Sequence, residues 1–431
     1  MIFKVIGGDF MNLFPGYKLN KEEQKVTMLA SLGGMLEFYD FTIYGLFAIY
    51  FAHQFFPTHN ETIALIASYS VFVVGYVVRP IGGIIFSHIG DEVGRKTVLI
   101  ITMVLMGISS FGMGILPNYE NIGVFAPALM LFFRLLQGLA IGGELPSMIV
   151  YSSETIPEKR GYAMGGVFAG TISGLIPGMI INLLILHFLT KEQIDNFGWR
   201  IPFLFGGFLC VIAYFVRKEL HETNAFKQIK QHIGIPFVHV LTHYFGRVII
   251  GAGLVSIMAT PIILLIIFMP TYLVKIAHVD ANLAGDASLV AAILSVFFVY
   301  IGGIVAQKYN LVKSMLVCLF FIVIAACICY WTISLNNTMI FVGIGLFAIF
   351  QGVLVVLPAV AISYLFPTDV RLTGVALSYN ISFVLFGGLT PILVTALIAE
   401  TNLVYVIPVV ILTLVSLFAA LSIYKTKPYI K

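Results

Sequence analysis

Charge is scarce in this sequence: Asp, Glu, Lys and Arg together make up 10% of 431 residues, against about 25% in an ordinary soluble domain. That shortage excludes a fold surrounded by water and leaves lipid as the solvent. Cysteine is equally thin. Cys210, Cys318, Cys327 and Cys329 all fall inside apolar segments, which excludes a disulfide or metal framework and reads as buried thiols. No Lys/Arg cluster exceeds what a short loop carries, so nucleic-acid binding is excluded. The nine histidines lie in loops or near helix ends, His88 being the nearest to a span interior, which argues against a histidine proton relay. No nucleophile–base pair or metal-ligand set is present, so neither an intramembrane enzyme nor a cofactor is expected. Between Lys4 and the first long helix there is no cleavage site, so no removable signal peptide is expected.

Hydrophobic residues, at 60% of the chain, are arranged in continuous rather than alternating runs of roughly 20 residues, the length of a membrane-crossing helix and not of a barrel strand. Proline, glycine and charge clusters punctuate the runs. They predict helices over 26–51, 62–87, 97–117, 123–150, 162–188 and 199–217, then 246–273, 284–307, 312–333, 338–364, 371–398 and 402–424. The expected fold is an all-α membrane protein of twelve transmembrane helices in two six-helix bundles, 1–217 and 246–431. A polar cytoplasmic linker, 218–245, joins them. With the N-terminus inside, 19 of the 24 Lys and Arg residues fall on inner segments and 3 outside, the bias expected of cytoplasmic loops; the reversed topology inverts it. Both termini are thus expected in the cytoplasm.

The halves echo each other. Leu136-Gln137-Gly138 precedes a loop with Pro157, Arg160 and Gly161, as Phe350-Gln351-Gly352 precedes one with Pro367, Arg371 and Gly374. Gly82-Gly83-Ile84 likewise matches Gly302-Gly303-Ile304. Duplication of a six-helix unit follows, and such repeats enclose a midplane site in many transporters.

Ionisable groups at membrane depth are costly and usually functional. Glu37, Asp40, Arg79, Arg134 and Glu144 qualify, all in the first half, whereas spans seven to twelve have none in their interiors. Glu37, Asp40 and Tyr44 are spaced i, i+3, i+7 and share one helix face. At about 1.5 Å per residue, Asp40 lies roughly 20 Å from the inner end of span one and Arg134 roughly 16 Å from the outer end of span four. In a core of about 30 Å both fall near the middle. Glu37 and Arg79 match each other nearer the inner side. A carboxylate that keeps its charge beside an arginine takes up a proton when the two separate. Asp40 with Arg134 is therefore the leading proton-coupling pair and Glu37 the competing carrier; the alternative is that both acids are permanent ion pairs holding helices together. Converting Asp40 to Asn is the discriminating change.

The inner end of span two reads Arg79-Pro80-Ile81-Gly82-Gly83, then Gly90-Asp91-Glu92-Val93-Gly94-Arg95-Lys96. This resembles the G-x-x-x-D-R/K-x-G-R-K signature of the major facilitator superfamily. Glu37-Phe38-Tyr39-Asp40-Phe41 with Tyr44-Gly45 resembles the E-W-Y-D-F…Y-G of its metabolite:proton symporters. So do Arg134-Leu135-Leu136-Gln137-Gly138 with Gly142-Gly143-Glu144, Trp199-Arg200-Ile201-Pro202-Phe203, and Leu365-Phe366-Pro367-Thr368 with Tyr379-Asn380 and Phe386-Gly387-Gly388. The resemblance implies proton-coupled uptake of a small carboxylate or zwitterion (proline, betaine, 2-oxoglutarate, citrate and shikimate are all within it) by a monomer in the plasma or bacterial inner membrane. Its partners would be the substrate, protons and the bilayer. Uniport or exchange of similar substrates is the alternative, and a receptor on a degenerate transporter fold is disfavoured by the intact mid-membrane charges.

Arg79 and Arg134 are candidate clamps for a substrate carboxylate, unless Glu37 and Asp40 neutralise them. Tyr44, Gln137, Tyr379 and Asn380 are candidate walls of the site, or else ordinary interhelical hydrogen-bonding groups. Asp91, Arg95, Glu154 and Arg160 resemble the superfamily's inner charge network, which Glu144 is expected to join; solvated loop charges are the alternative. Two departures stand out: Ser87 and Glu92 replace a glycine and a basic residue of the loop signature, and the matching loop of the second half, Gln307 to Lys313, lacks its Asp and Gly-Arg. Osmosensory relatives carry a coiled coil after the last helix; with Lys431 just past span twelve, osmotic sensing is in doubt.

Overall fold

The computed structural model describes residues 18–57, 61–228 and 236–430. The N-terminal stretch read for a signal peptide, Lys230 of the linker and Lys431 lie outside them. Twelve spans follow in order: α1 Lys21–Phe55, α2 Glu61–Glu92, α3 Arg95–Ile115, α4 Phe125–Thr155, α5 Arg160–Ser173 continued by Leu175–Phe188, and α6 Arg200–Arg217. Then come α7 Phe245–Ile262, α8 Ala281–Lys308, α9 Leu311–Ile333, α10 Asn337–Ile362, α11 Arg371–Ser382 and α12 Ile407–Lys425. Eleven of them are apolar enough over their length to cross a membrane. The exception, α1, is 35 residues long but carries Glu37 and Asp40 in its middle.

Several ends differ from those expected, each for a local reason. α1 begins at Lys21 rather than near 26, because the Asn20 side chain accepts the Glu23 amide at 2.8 Å and Glu23 accepts the Asn20 amide at 2.8 Å, a reciprocal capping box. α2 runs to Glu92 and stops at Gly94, whose φ of 129° only glycine adopts without strain. α7 and α11 are not single α-helices. After Pro261 the chain widens into π-helical turns at Ile263–Ile267 and Tyr272–Ile276, and α11 gives way to one at Phe383–Gly388 before resuming as Leu389–Thr401. α12 starts at Ile407, not 402, with Asn402 in the left-handed region at φ 58° ending the helix before it.

Within the first half, α2 packs along α4 with backbones in contact. A Cβ on Gly142 would overlap the Arg79 carbonyl, and one on Gly82 the Leu139 carbonyl. Small residues at such crossings let helices approach closely in lipid. Gly142→Val is expected to cost about 3 kcal/mol, the upper end of the usual overpacking range, read as loss of the monodisperse peak of detergent-solubilised protein in size-exclusion chromatography. α8 and α10 make the matching pair in the second half, where Gly302 abuts the Val353 backbone and Gly352 the Ser295 backbone. The two halves meet along two seams, α2 against α11 and α5 against α8.

Candidate functional site

The α1 face bearing Glu37, Asp40 and Tyr44 is locked in place by neighbours from the other candidate motifs. The Tyr39 hydroxyl donates to the Pro202 carbonyl at 2.7 Å, and Tyr44 packs edge-on to Phe203 at 6.4 Å. Phe51 and Phe55 flank the Trp199 ring at 5.3 and 5.6 Å. α6 thereby sets the rotation of α1.

From this face the two acids go to different partners. Glu37 forms a buried ion pair with Arg79 of α2. Asp40, 2% exposed, accepts from Ser110 Oγ of α3 at 2.5 Å and from Gln137 Nε2 of α4 at 2.8 Å. Gln137 turns its other end, the carbonyl, to the Arg134 guanidinium. Asp40 and Arg134 are thus joined through one amide, and among the described residues they form no direct ion pair. Each acid keeps one buried oxygen, Glu37 Oε2 and Asp40 Oδ1, without a hydrogen-bond partner among the described residues. The Arg134 guanidinium also lies over the Tyr44 ring at 4.7 Å, and Tyr44 donates to the Ser68 carbonyl at 3.0 Å.

A small cleft of about 10 Å³, room for about one water, opens among Glu37, Phe41, Tyr76, Arg79, Arg134 and Ile141, floored by Gly75 and Gly138. Of the candidate substrate residues, Arg79 and Arg134 line it. Gln137 and Tyr44 stand behind Arg134, and Tyr379 and Asn380 do not line the cavity. Asn380 Nδ2 spends its hydrogen bonds on the Gly142 carbonyl at 2.8 Å and the Ala376 carbonyl at 2.9 Å, the ordinary interhelical role. Tyr379 stacks on Phe383 at 4.6 Å, and Phe383 in turn sits 5.6 Å from the Arg79 guanidinium. Sequence reasoning missed Ser110, Tyr76 and Phe383. Tyr76 was findable, one turn before Arg79 on α2, with its ring 4.9 Å from that guanidinium.

A second cluster closes the α2–α11 seam on the face that carries the Lys/Arg-rich loops. The Gly94 turn folds Arg95 back onto Asp91 at 3.2 Å. Asp91 accepts the amides of Leu372 at 3.3 Å and Thr373 at 2.9 Å and the Thr373 hydroxyl at 2.7 Å, placing an anion at the first turn of α11, where unpaired amides favour it. Glu154 takes Arg95 Nε at 3.2 Å, Arg371 at 2.8 Å and the Thr223 hydroxyl at 2.8 Å, while Arg95 reaches the Thr368 carbonyl at 2.6 Å.

Two residues assigned to this network from the sequence lie elsewhere. Arg160 stacks over Tyr364 at 4.2 Å, and Arg371 holds the place beside Glu154. Glu144 is fully buried against Arg217 at 2.7 Å and accepts from Thr102. Arg217, the last residue of α6, has no exposed surface and donates to the carbonyls of Leu29, Ala30 and Leu99 at 2.9, 2.7 and 2.8 Å. This group ties α1, α3, α4 and α6 together.

Comparison with known proteins follows the same lines. Residues 30–378 match the sequence profile of the Major Facilitator Superfamily. A putative proline/betaine transporter of Staphylococcus aureus (strain COL) is 30% identical over 389 residues, 89% of this chain and 84% of that protein. The glycine betaine/proline/ectoine/pipecolic acid transporter OusA of Dickeya dadantii (strain 3937) is 30% identical over 400 residues, 89% and 79% of the two chains. The inner membrane metabolite transport protein YhjE of Escherichia coli (strain K12) is 32% identical over 379 residues, 85% and 86%. Among solved structures, the proton:xylose symporter XylE bound to 6-bromo-6-deoxy-D-glucose superposes with a TM-score of 0.78 at 16% identity, over 92% of this chain and 94% of that one; at that identity the likeness concerns the fold. With twelve spans in two matched halves, the chain belongs to the major facilitator superfamily, among its metabolite transporters.

Proposed function

We propose that this transporter is a proton-coupled symporter that takes up a small zwitterionic carboxylate, of the proline or betaine type, by alternating access. The observation that carries the reading is the chain of contacts from the cavity to a buried acid: Arg134 faces the cavity, Gln137 holds Arg134, and Asp40 holds Gln137. A substrate carboxylate arriving at Arg79 and Arg134 meets two guanidinium forks suited to it. Once Arg134 turns to the substrate it no longer shares its charge with Asp40 through Gln137, and Asp40 holds a proton on its unpartnered oxygen instead. Substrate and proton are then bound together and leave together.

A zwitterion fits better than a dicarboxylate because Glu37 lines the same cavity: its negative charge attracts the substrate's cationic end and repels a second carboxylate. The rings of Phe41 and Tyr76 supply an apolar wall beside it. The names of the S. aureus and D. dadantii relatives point to the same substrate class. On this reading 1–217 and 246–431 are the two rocking units joined by 218–245, and the Asp91–Arg95–Glu154–Arg371 cluster latches them when the transporter is closed inside. The protein works as a monomer in the plasma (bacterial inner) membrane with both termini cytoplasmic.

A second reading, proton-independent uniport or exchange, draws on the two hydrogen bonds that already hold Asp40 and make it a structural anion. Uptake into proteoliposomes with and without an imposed pH gradient decides between them, using radiolabelled proline and glycine betaine first and 2-oxoglutarate as the dicarboxylate comparison. Accumulation of proline or betaine only with the inside alkaline supports symport. Uptake that equilibrates identically in both conditions rejects it, and preference for the dicarboxylate rejects the zwitterion.

A further inference from the structure

The two seams between the halves are built alike but charged differently. In the α2–α11 seam two acids, Asp91 and Glu154, face two arginines, Arg95 and Arg371. In the α5–α8 seam the halves are joined by hydrogen bonds of neutral groups, Gly161 N to Gln307 Oε1 at 3.0 Å and Gln307 Nε2 to the Glu158 carbonyl at 2.8 Å. The loop beside this seam is the one that lacks the Asp of the first-half signature. Its cations are still present. A cavity of about 450 Å³, open to solvent, is lined here by Arg160, Lys313 and Lys427, with Glu158 the only acid among the described residues that line it. Among the described residues none of these three cations makes an ion pair within 4 Å. Arg160 Nε is buried with no hydrogen-bond partner among them, although its counterpart Arg371 has Glu154.

Three cations and the first turn of α9, residues 310–313, converge on this space, and Asn310 caps that turn by accepting the Lys313 amide at 3.0 Å. The shared chemistry is that of an anion site: guanidinium, ammonium and helix-end amides. The cavity wall then passes through Leu316 onto the lipid side of α9, where Leu316, Val317 and Phe320 are 39%, 54% and 64% exposed, so an anion held here can carry an acyl chain along the helix.

We propose that the α5–α8 seam binds a phosphate group, from the headgroup of an anionic lipid or from free phosphate, and that this anion takes the place of the missing acid. Its walls come from both halves, Arg160 from the first and Lys313 and Lys427 from the second. The site therefore exists only while the seam is closed, and occupancy biases alternating access toward the state closed on this face.

The test uses the full-length protein purified and reconstituted three ways: in phosphatidylcholine vesicles, in phosphatidylcholine with 25 mol% phosphatidylglycerol, and in phosphatidylcholine with inorganic phosphate. Wild type is compared with Lys313→Gln/Lys427→Gln and with Lys18→Gln/Lys21→Gln, which removes equal charge elsewhere on the same face. The readouts are lipid retained after delipidation, by native mass spectrometry, and the shift in melting temperature. A lysine near an anionic surface contributes about fivefold in affinity, so the double variant is expected to retain phosphatidylglycerol about 25-fold less tightly, while the control pair behaves as wild type. A melting shift with inorganic phosphate alone, lost in Lys313→Gln/Lys427→Gln, assigns the site to the soluble anion. Equal retention in all three proteins, or equal losses in both double variants, overturns the proposal. Arg160→Gln provides a second arm: it should abolish the anion-dependent melting shift while melting as wild type without the anion.

Discussion

Asp40→Asn is expected to abolish accumulation of substrate against a gradient while leaving substrate exchange intact. Asparagine keeps the size of the side chain and an oxygen to accept from Ser110, so the hydrogen-bonded group around Gln137 persists, but it cannot take a proton. With the membrane potential clamped and one proton moved per substrate, a pH difference of one unit supports about a tenfold concentration ratio, the equivalent of about 1.4 kcal/mol. In proteoliposomes holding Asp40→Asn that ratio should fall to one, with counterflow of preloaded substrate continuing. Full accumulation by the variant would remove Asp40 from the coupling mechanism. Glu37→Gln separates the two acids: it breaks the Arg79 ion pair in the cavity itself, so binding and counterflow should be lost together. Accumulation lost with counterflow retained in Glu37→Gln, and not in Asp40→Asn, would transfer the proton to Glu37.

The largest effect on stability is expected at a residue that does not line the cleft. Arg217→Ala leaves the Glu144 carboxylate buried without its cation and strips donors from the carbonyls of Leu29, Ala30 and Leu99. Breaking a buried pair from one side costs about 3–5 kcal/mol, a large fraction of the about 5–15 kcal/mol that ordinarily holds a fold together. Little monodisperse protein should survive extraction. Glu144→Gln should be milder, because Arg217 keeps its hydrogen bonds to the carbonyls of Leu29, Ala30 and Leu99 and Thr102 keeps its bond to the Val98 carbonyl. Equal yields from wild type and Arg217→Ala would show that the pair is dispensable.

Much of this was legible from residue order. The twelve spans, the matching of Glu37 with Arg79 and of Asp40 with Arg134 along the helices, and the Asp91–Arg95 turn follow from apolar run length, helical rise and a glycine-bearing loop. What stayed hidden has physical reasons. Gln137 donates with one end and accepts with the other, and nothing in chain order says that both neighbours lie within its reach. Arg217 stands at the end of a span among other basic residues, where it reads as a solvated loop charge; only the packing of four helices reveals that it is enclosed. Arg160 and Arg371 echo each other in sequence, but an acid is in reach of one and a tyrosine ring of the other. The π-helical turns of α7 and α11 carry no residue type that marks them beyond a nearby proline or glycine pair. The capping box at Asn20 and Glu23, by contrast, was there to be read and moves the start of α1 by five residues.

The glycine contacts between α2 and α4 bear on the proposed proton site. Arg79 and Arg134 are mounted on two helices whose main chains touch, and Asp40 is tied to the same α4 through Gln137, so all three belong to one half. If Asp40 carries the proton as proposed, its loading and unloading would be governed by what enters or leaves the cleft, since a movement between the halves does not by itself separate helices of the same half.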